Sequence, residues 1–173
     1  MTSYGAYETI ESRPALRFER RLPHPVDVVW RAITTSDELA EWFPSRVQVG
    51  ELRTGAEMTF TFEHMPLEGA PSRITGRVTD FDPPRVFAFW WGEDHLRFEL
   101  EPAADGAPGC VLTLVVLLDE REKAARDGAG WHVCLDRLED RLAGAAGASA
   151  DWRRLYEEYQ RRGAPAGAPI PVQ

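Results

Sequence analysis

The feature that most constrains the fold is an amphipathic segment near the C-terminal end, residues 130–142, which follows a long series of strand-like segments. Its apolar residues recur at helical spacing and form one stripe: Trp131, Cys134, Leu135, Leu138 and Leu142. A single long helix after a whole sheet has one obvious surface on which to bury this stripe, the face of that sheet. We therefore expect a curved sheet closed by one helix, around an interior that could hold a small apolar molecule.

The segments before this helix predict an antiparallel α+β fold. Alternating or continuous apolar patterns bounded by turn residues predict strands over residues 15–22, 45–49, 58–63, 73–80, 86–91, 95–101 and 110–118. Two short helices are expected after the first strand, one starting at Pro25 and one capped by Thr35 or Ser36. Short turns between the remaining strands favour an antiparallel meander.

The chain length of 173 residues suits a single domain. Residues 1–14 lack periodicity and are expected to form a mobile tail, and residues 15–147 form the domain itself. Residues 148–162 predict an additional helix capped by Ser149. Residues 163–173 are rich in Pro, Gly and Ala and are expected to be a disordered tail.

Composition argues against several classes of partner. The formal net charge is −8, from 20 Lys and Arg against 28 Asp and Glu, which disfavours nucleic acid. The longest apolar run, residues 111–118, falls far short of the ~20 residues that a membrane span needs. The N-terminus lacks the pattern of a secretory signal, so we expect a cytoplasmic protein in which Cys110 and Cys134 are buried, reduced thiols.

Four ordered stretches resemble one known superfamily. They are residues 25–34 continued by 39–43, residues 52–60, residues 76–85 running into Phe89 and Trp90, and Gly130-Trp131 followed by the leucines of the helix. Together they resemble the START-like (SRPBCC) superfamily, in particular bacterial members of the branch named after the C-terminal domain of the heat-shock-protein-90 ATPase activator. This resemblance implies the helix-grip fold, whose members include lipid carriers, polyketide cyclases and ligand-sequestering proteins.

The resemblance also orients the strands and suggests which residues line a cavity. It places Val86, Ala88 and Trp90 on the face toward the helix, together with Leu96. The predicted ligand-binding set is Met58, Phe60, Ala88, Trp90, Phe98, Trp131 and Leu135. The two tryptophans are preferred within this set, because an indole offers both a broad apolar face and an N–H donor.

Catalytic and metal-binding patterns are weak in this sequence. The four histidines form no ligand pair, the two cysteines form no Cys-x-x-Cys pair, and we expect neither metal nor cofactor. General acid–base chemistry has three candidates, His64, Asp80 and Glu63, each of which is more typical of a solvated loop or rim residue. Asp80 shares the parity of Gly76 and Val78, which favours an inward position at the end of its strand. No catalytic residue is assigned.

The function that these patterns favour is non-catalytic binding of a small hydrophobic molecule between the sheet and the Trp131 helix. One alternative is a cyclase-like or dehydratase-like enzyme that uses the same cavity. Another is a protein–protein adaptor or co-chaperone-like module that uses the additional C-terminal helix, and a homodimer through that helix is left open.

Overall fold

The computed structural model describes residues 3–63, 69–147 and 150–171. Within these residues the chain forms eight strands: β1 Ala6–Ile10, β2 Arg13–Leu22, β3 Arg46–Val49, β4 Glu57–Thr61, β5 Arg73–Asp82, β6 Val86–Trp91, β7 Asp94–Pro102 and β8 Cys110–Leu117. The α-helices are α1 Val26–Thr34, α2 Ser36–Leu39, α3 Ala124–Ala143 and α4 Trp152–Arg161. Short 3₁₀ turns precede β8 (Ala104–Gly106) and α3 (Arg121–Lys123).

The strands form one antiparallel sheet in the order β1-β2-β8-β7-β6-β5-β4-β3. The short helices α1 and α2 connect β2 at one side to β3 at the far edge, and α3 lies across the concave face. This arrangement confirms the predicted α+β helix-grip fold. None of the described helices combines the length and the apolar character needed to cross a bilayer.

Strict alternation sets the inner face of the central strands. Leu96, Phe98 and Leu100 of β7 are buried, and they lie opposite Val116, Leu114 and Leu112 of β8. Strand β2 continues the same face with buried Leu16 and Phe18. Because side chains alternate between the faces of a strand, these residues share the concave side with α3.

Strand β1 corrects the prediction of a mobile tail over residues 1–14. Residues 6–10 pair in register with β2 through a two-residue turn at Glu11 and Ser12, whose φ angles are 48° and 66°. A hairpin turn with two left-handed residues usually carries Asn-Gly or Asp-Gly. Glu-Ser does not have that pattern, and the partly exposed edge strand shows little apolar alternation. The two predicted short helices therefore follow the second strand of the fold and not the first.

The C-terminal residues depart from the predicted disorder. Helix α4 forms as expected, but its N-cap is Asp151, whose carboxylate accepts a hydrogen bond from the Arg154 N–H at 3.2 Å; the predicted cap, Ser149, lies outside the described residues. Residues 163–171 then return along the start of α3, where the Ala125 N–H donates to the Pro165 carbonyl at 2.9 Å. The first N–H groups of a helix have no acceptor within the helix. Composition alone does not reveal that a Pro-rich segment supplies such an acceptor.

The face assignment of β6 is wrong by one residue. Phe87 and Phe89 point into the core, where they contact each other with ring centroids 4.8 Å apart. Ala88 and Trp90 lie on the outer face, where Trp90 stacks edge-on against His95 and beneath the Arg13 guanidinium. Every residue from 86 to 91 is apolar, so the sequence carries no alternation from which to read the faces.

A register shift in β5 moves Asp80 to the outer face as well. Val78 pairs with Phe89, but Asp80 pairs with Ala88, so β5 contains one extra residue at this point. The extra residue reverses the alternation that would have placed Asp80 beside Val78 on the inner face. Asp80 instead forms an ion pair with Arg97 at 3.0 Å, largely in solvent.

Candidate functional site

An apolar cavity of about 280 Å³ lies at the N-terminal end of α3, between that helix and the sheet. It is bordered by the end of β6, the start of β7, the connection before β5, and the C-terminal segment. The lining residues are Pro44, Phe62, Ala70, Pro71, Ile74, Trp91, Asp94, Lys123, Arg126, Asp127, Gly130, Trp131, Cys134, Trp152 and Pro171. We refer to this set as the aromatic cavity.

One face of α3 forms a wall of the aromatic cavity. The lining positions 123, 126, 127, 130, 131 and 134 recur at intervals of three and four residues, which places them on one stripe of the helix. Gly130 lies in the middle of this stripe, and a Cβ atom added there would meet no other heavy atom within 4 Å. The cavity thus extends to the helix backbone.

Tryptophan and phenylalanine rings form the side walls. Trp91 and Trp131 meet edge to face with ring centroids 5.5 Å apart, and Phe62 lies 5.9 Å from Trp91. Phe43 supports Trp131 from the packed interior at 5.5 Å. Such walls suit a flat apolar ligand, because aromatic rings favour edge-to-face and offset-stacked neighbours.

A buried ion-pair group closes the polar end of the aromatic cavity. The Lys123 ammonium donates to Asp94 at 2.7 Å and to Asp119 at 2.6 Å, and it lies 3.9 Å from Asp127. Burial raises the pKa of Asp94 to about 6, although Lys123 opposes the shift. Burial also acts to lower the pKa of Lys123, but the surrounding carboxylates outweigh it and the pKa is raised. Lys123 is therefore a cation at neutral pH, and it is held by the carboxylates of Asp94 and Asp119.

The C-terminal segment completes the aromatic cavity. Trp152 of α4, which stacks on Tyr156 with ring centroids 5.2 Å apart, and Pro171 both line it. The segment is held in place by the Ala168 N–H, which donates to the Glu122 carbonyl, and by Arg126, which donates to the Pro169 carbonyl at 3.0 Å. The additional helix predicted from sequence thus contributes directly to the site.

A second polar group, the His132 cluster, is buried beneath the opposite side of α3. It consists of Arg20, His132, Asp136, Glu139 and Tyr159. The Arg20 Nε lies 2.8 Å from Glu139, and the His132 Nδ1 is hydrogen-bonded to the Tyr159 hydroxyl at 3.0 Å. That hydroxyl also accepts from the Gly5 N–H at 2.9 Å. The cluster joins the N-terminal hairpin, α3 and α4, and none of its members lines the aromatic cavity.

The structure separates the seven residues predicted to bind a ligand. Trp131 lines the aromatic cavity. Met58, Phe60, Phe98 and Leu135 are each at most 1% exposed and belong to the filled core, while Ala88 and Trp90 lie on the outer face. The predicted cavity over the centre of the sheet is filled because Trp42, Phe43 and Phe89 pack against Phe60 and Phe98.

Sequence reasoning missed Trp91 and Trp152 as lining residues. Trp91 follows from the corrected face of β6, since it shares the parity of Phe87 and Phe89. For Trp152 the helical pattern was visible, but its position over the aromatic cavity depends on tertiary packing. Of the acid–base candidates, His64 lies outside the described residues, and Glu63 is exposed and paired with Arg46.

Nothing in the described aromatic cavity forms a nucleophile or metal site. Burial raises the pKa of the Cys134 thiol to about 12, so the thiol is neutral and unreactive at physiological pH. The described residues hold no cluster of three metal-ligating side chains. Asp94, whose pKa burial raises to about 6, has both carboxylate oxygens engaged by Lys123 and one also by the Asp119 N–H.

Two other depressions are larger but more polar. One, of about 390 Å³, lies between α2 and the edge of the sheet and is bordered by Asp37, Arg46 and Arg73. The other, of about 350 Å³, lies on the outer face beside Trp90, Glu57 and Arg77, and Met58 also borders it. Neither has the largely apolar lining that is typical of small-molecule sites.

An antiparallel sheet that grips one long helix, with an apolar cavity at the end of that helix, defines a START-like (SRPBCC) domain. The sequence profile described as "Activator of Hsp90 ATPase homolog 1-like protein" matches residues 23–143. The chain belongs to this family. The profile ends at the last residue of α3, so α4 and the segment after it lie outside the matched region.

Solved structures share the fold at low sequence identity. The conserved protein of unknown function EF2215 from Enterococcus faecalis is 20% identical with a TM-score of 0.73, covering 91% of this chain and 89% of that one. CalU16 from Micromonospora echinospora is 24% identical with a TM-score of 0.66, and the match covers 90% of this chain and 91% of CalU16. The BPP1335 protein from Bordetella parapertussis is 25% identical with a TM-score of 0.66, and the match covers 99% of this chain and 97% of that protein. No curated protein matches the chain.

Proposed function

We propose that this protein binds a small hydrophobic molecule non-catalytically in the aromatic cavity. The observation that carries the proposal is the contrast between a filled core and an apolar cavity of about 280 Å³ at the end of α3. Ligand sites typically measure about 300–1,000 Å³ and combine apolar walls with a few polar groups. The aromatic cavity has apolar walls and a few polar groups, and its volume lies just below that range.

The driving force is the burial of apolar surface. An apolar ligand gains about 25 cal/mol for each Å² removed from water, and the rings of Trp91, Trp131 and Trp152 provide the surface that covers it. Because these rings are already held by neighbouring aromatic side chains, little side-chain conformational freedom is lost on binding. We further propose a cytoplasmic location, which the two buried cysteines without a disulfide support.

Native mass spectrometry of protein purified from its own host, followed by denaturing extraction, tests the proposal. The expected result is a stoichiometric apolar adduct that is released on denaturation. Gly130→Leu should abolish the adduct, because the new side chain enters the aromatic cavity from the middle of its helical wall. Gly130→Ala is the matched control, since a single methyl group leaves most of the volume available.

Two results would contradict the proposal. One is an adduct that persists unchanged in the Gly130→Leu protein, which would place the ligand elsewhere. The other is an adduct-free wild-type protein that also fails to bind any added apolar probe.

A further inference from the structure

The walls of the aromatic cavity differ in how firmly they belong to the packed core. Trp131, Cys134 and Asp94 line its inner side, and all three are buried. The side toward solvent includes Trp152, Pro171 and residues 70–71, none of which is buried. Pro171 belongs to residues 165–171, which we call the C-terminal strap. A ligand that reaches the cavity from solvent therefore passes at or beside this strap.

The C-terminal strap is attached to the rest of the molecule by few contacts. Among the described residues, three hydrogen bonds to backbone carbonyls join it to the start of α3. They run from the Ala125 N–H to Pro165 at 2.9 Å, from the Ala168 N–H to Glu122 at 3.2 Å, and from the Arg126 guanidinium to Pro169 at 3.0 Å. None of residues 165–171 is buried, and Ile170 is 46% exposed. Segments with few buried contacts and exposed hydrogen bonds open at a lower free-energy cost than the core.

The strap has a fixed end and a stiff backbone. Ala164, which precedes it, is buried and its N–H donates to the Tyr159 carbonyl of α4 at 3.0 Å. The three prolines of the strap each fix φ at about −65° and so limit its bending. The strap can thus swing away from α3 while α4 stays in place.

We propose that the C-terminal strap is the gate of the aromatic cavity, which swings away from α3 to admit or release the ligand and closes over it through Pro171. This inference rests on the proposed binding function and adds how access to the site is controlled. The strap lies beyond the family match at residues 23–143, so the gate is assigned to this chain's own C-terminal residues.

A gate and a static wall have different kinetic signatures. If the ligand passes only while the strap is open, the association and dissociation rate constants both follow the population of the open state, and Kd changes little. Loss of a static wall contact instead weakens Kd, mostly through faster dissociation. The probe is N-phenyl-1-naphthylamine, an uncharged compound whose fluorescence rises in apolar surroundings, and stopped-flow mixing gives both rate constants.

A disulfide between the strap and the turn before α3 provides the main test. A Cβ built on Gly167 lies 3.7 Å from the Glu122 Cβ, within the range of about 3.5–4.5 Å found in disulfides, and neither residue lines the aromatic cavity. In Glu122→Cys/Gly167→Cys, oxidation should slow association and dissociation of the probe at least about tenfold, because minor states typically hold about 0.1–10% of a population. Reduction should restore both rate constants.

The reduced form of the same protein is the matched control. Gly167 has a φ of 136°, so a cysteine there strains the backbone, but both redox forms carry the same substitution. The native thiols of Cys110 and Cys134 are buried and burial raises the pKa of both, which keeps them out of thiol exchange.

Ala168→Pro should change the rate constants in the opposite direction, and it tests the gate even if the double variant does not fold. It removes the N–H that donates to Glu122 at a position before Pro169, where the backbone already favours an extended conformation. Both rate constants should rise roughly two- to tenfold, the range for one neutral hydrogen bond, and Kd should change less than about twofold. Ala168→Ser, which keeps the N–H, should leave both rate constants unchanged.

The outcomes separate the gate from the function on which it rests. If Gly130→Leu abolishes the probe signal, the probe occupies the aromatic cavity, and rate constants unaffected by the disulfide then overturn the gate and leave cavity binding intact. A change in Kd carried by dissociation alone also overturns the gate, in favour of a static wall. Absence of a probe signal, or a signal that persists in Gly130→Leu, contradicts the proposed function and overturns the gate with it.

Discussion

The two sides of helix α3 lie in contrasting environments. On one side Gly130, Trp131 and Cys134 border the aromatic cavity. On the other side Gly128 and His132 are buried against Tyr159, within a packed interior that includes an ion-paired arginine. The same helix therefore stabilises the domain with one face and leaves space beside the other, as the proposed binding function requires.

The largest difference is expected between core and cavity phenylalanines. Phe98 is fully buried between Trp42 and Phe89, and Phe98→Ala should lower the free energy of unfolding by about 3–5 kcal/mol. Phe62 is half-buried at the cavity, so Phe62→Ala should cost far less, about 1 kcal/mol. Urea unfolding measures both, and equal losses would show that the cavity wall is as important for stability as the core.

Buried and exposed arginines provide the next comparison. Arg20→Met leaves Asp136 and Glu139 without their cation beneath α3 and should lower the free energy of unfolding by about 2–3 kcal/mol. This loss is smaller than for a fully buried ion pair because both carboxylates are partly exposed. Arg97→Met removes outer-face ion pairs with Asp80 and Glu99 and should cost less than about 1 kcal/mol. Chemical unfolding of both variants tests this, and a larger loss for Arg97→Met would reverse the assignment of the two faces.

Acid should weaken the packed side through His132. Burial lowers its pKa to about 4 in the folded protein, helped by the positive charges of Arg20 and Arg162, while an unfolded histidine titrates near 6.5. Between these values the unfolded state binds more protons, so the stability contribution of neutral His132 is present above pH 6.5 and is lost as the pH falls toward 4.

A His132→Gln variant isolates this effect from that of neighbouring Asp136. Burial raises the pKa of Asp136 to about 6, so Asp136 contributes the opposite pH dependence in both proteins. The stability advantage of wild type over His132→Gln should shrink by about 1–3 kcal/mol between pH 7 and pH 4. Urea midpoints measured at intervals across this range provide the test. A constant difference would mean that His132 titrates normally in the folded state.

The sequence predicted the scaffold better than the site. The alternation of β7 and the helical stripe of α3 depend on local periodicity, and both are confirmed by the structure. The faces of β6 were predicted wrongly because all six of its residues are apolar. The inward position of Asp80 was predicted wrongly because the extra residue in β5 has no sequence signature. Strand β1 was missed because its Glu11-Ser12 turn does not have a typical composition.

The location of the cavity depends on information that the local pattern does not contain. Phe60 and Phe98 were reasonable candidates, but whether aromatic residues enclose a space or fill it depends on how rings from four separate elements meet. The C-terminal segment shows the same limit. Its composition predicted disorder, yet its carbonyl groups accept hydrogen bonds from the start of α3, and Pro171 lines the site.

The smallest predicted effect compares two glycines on either side of α3. A Cβ at Gly128 would lie 2.9 Å from the Tyr159 ring, so Gly128→Ala must displace a buried side chain and should cost about 1 kcal/mol or more, even after the gain in helix propensity. A Cβ at Gly130 meets no heavy atom within 4 Å, so Gly130→Ala should stabilise the protein by about 0.5–1 kcal/mol. Opposite shifts of the thermal midpoint are expected. A lower midpoint for Gly130→Ala would mean that the space beside Gly130 is not open to a ligand, and a higher midpoint for Gly128→Ala would mean that the Tyr159 ring yields to the added methyl group.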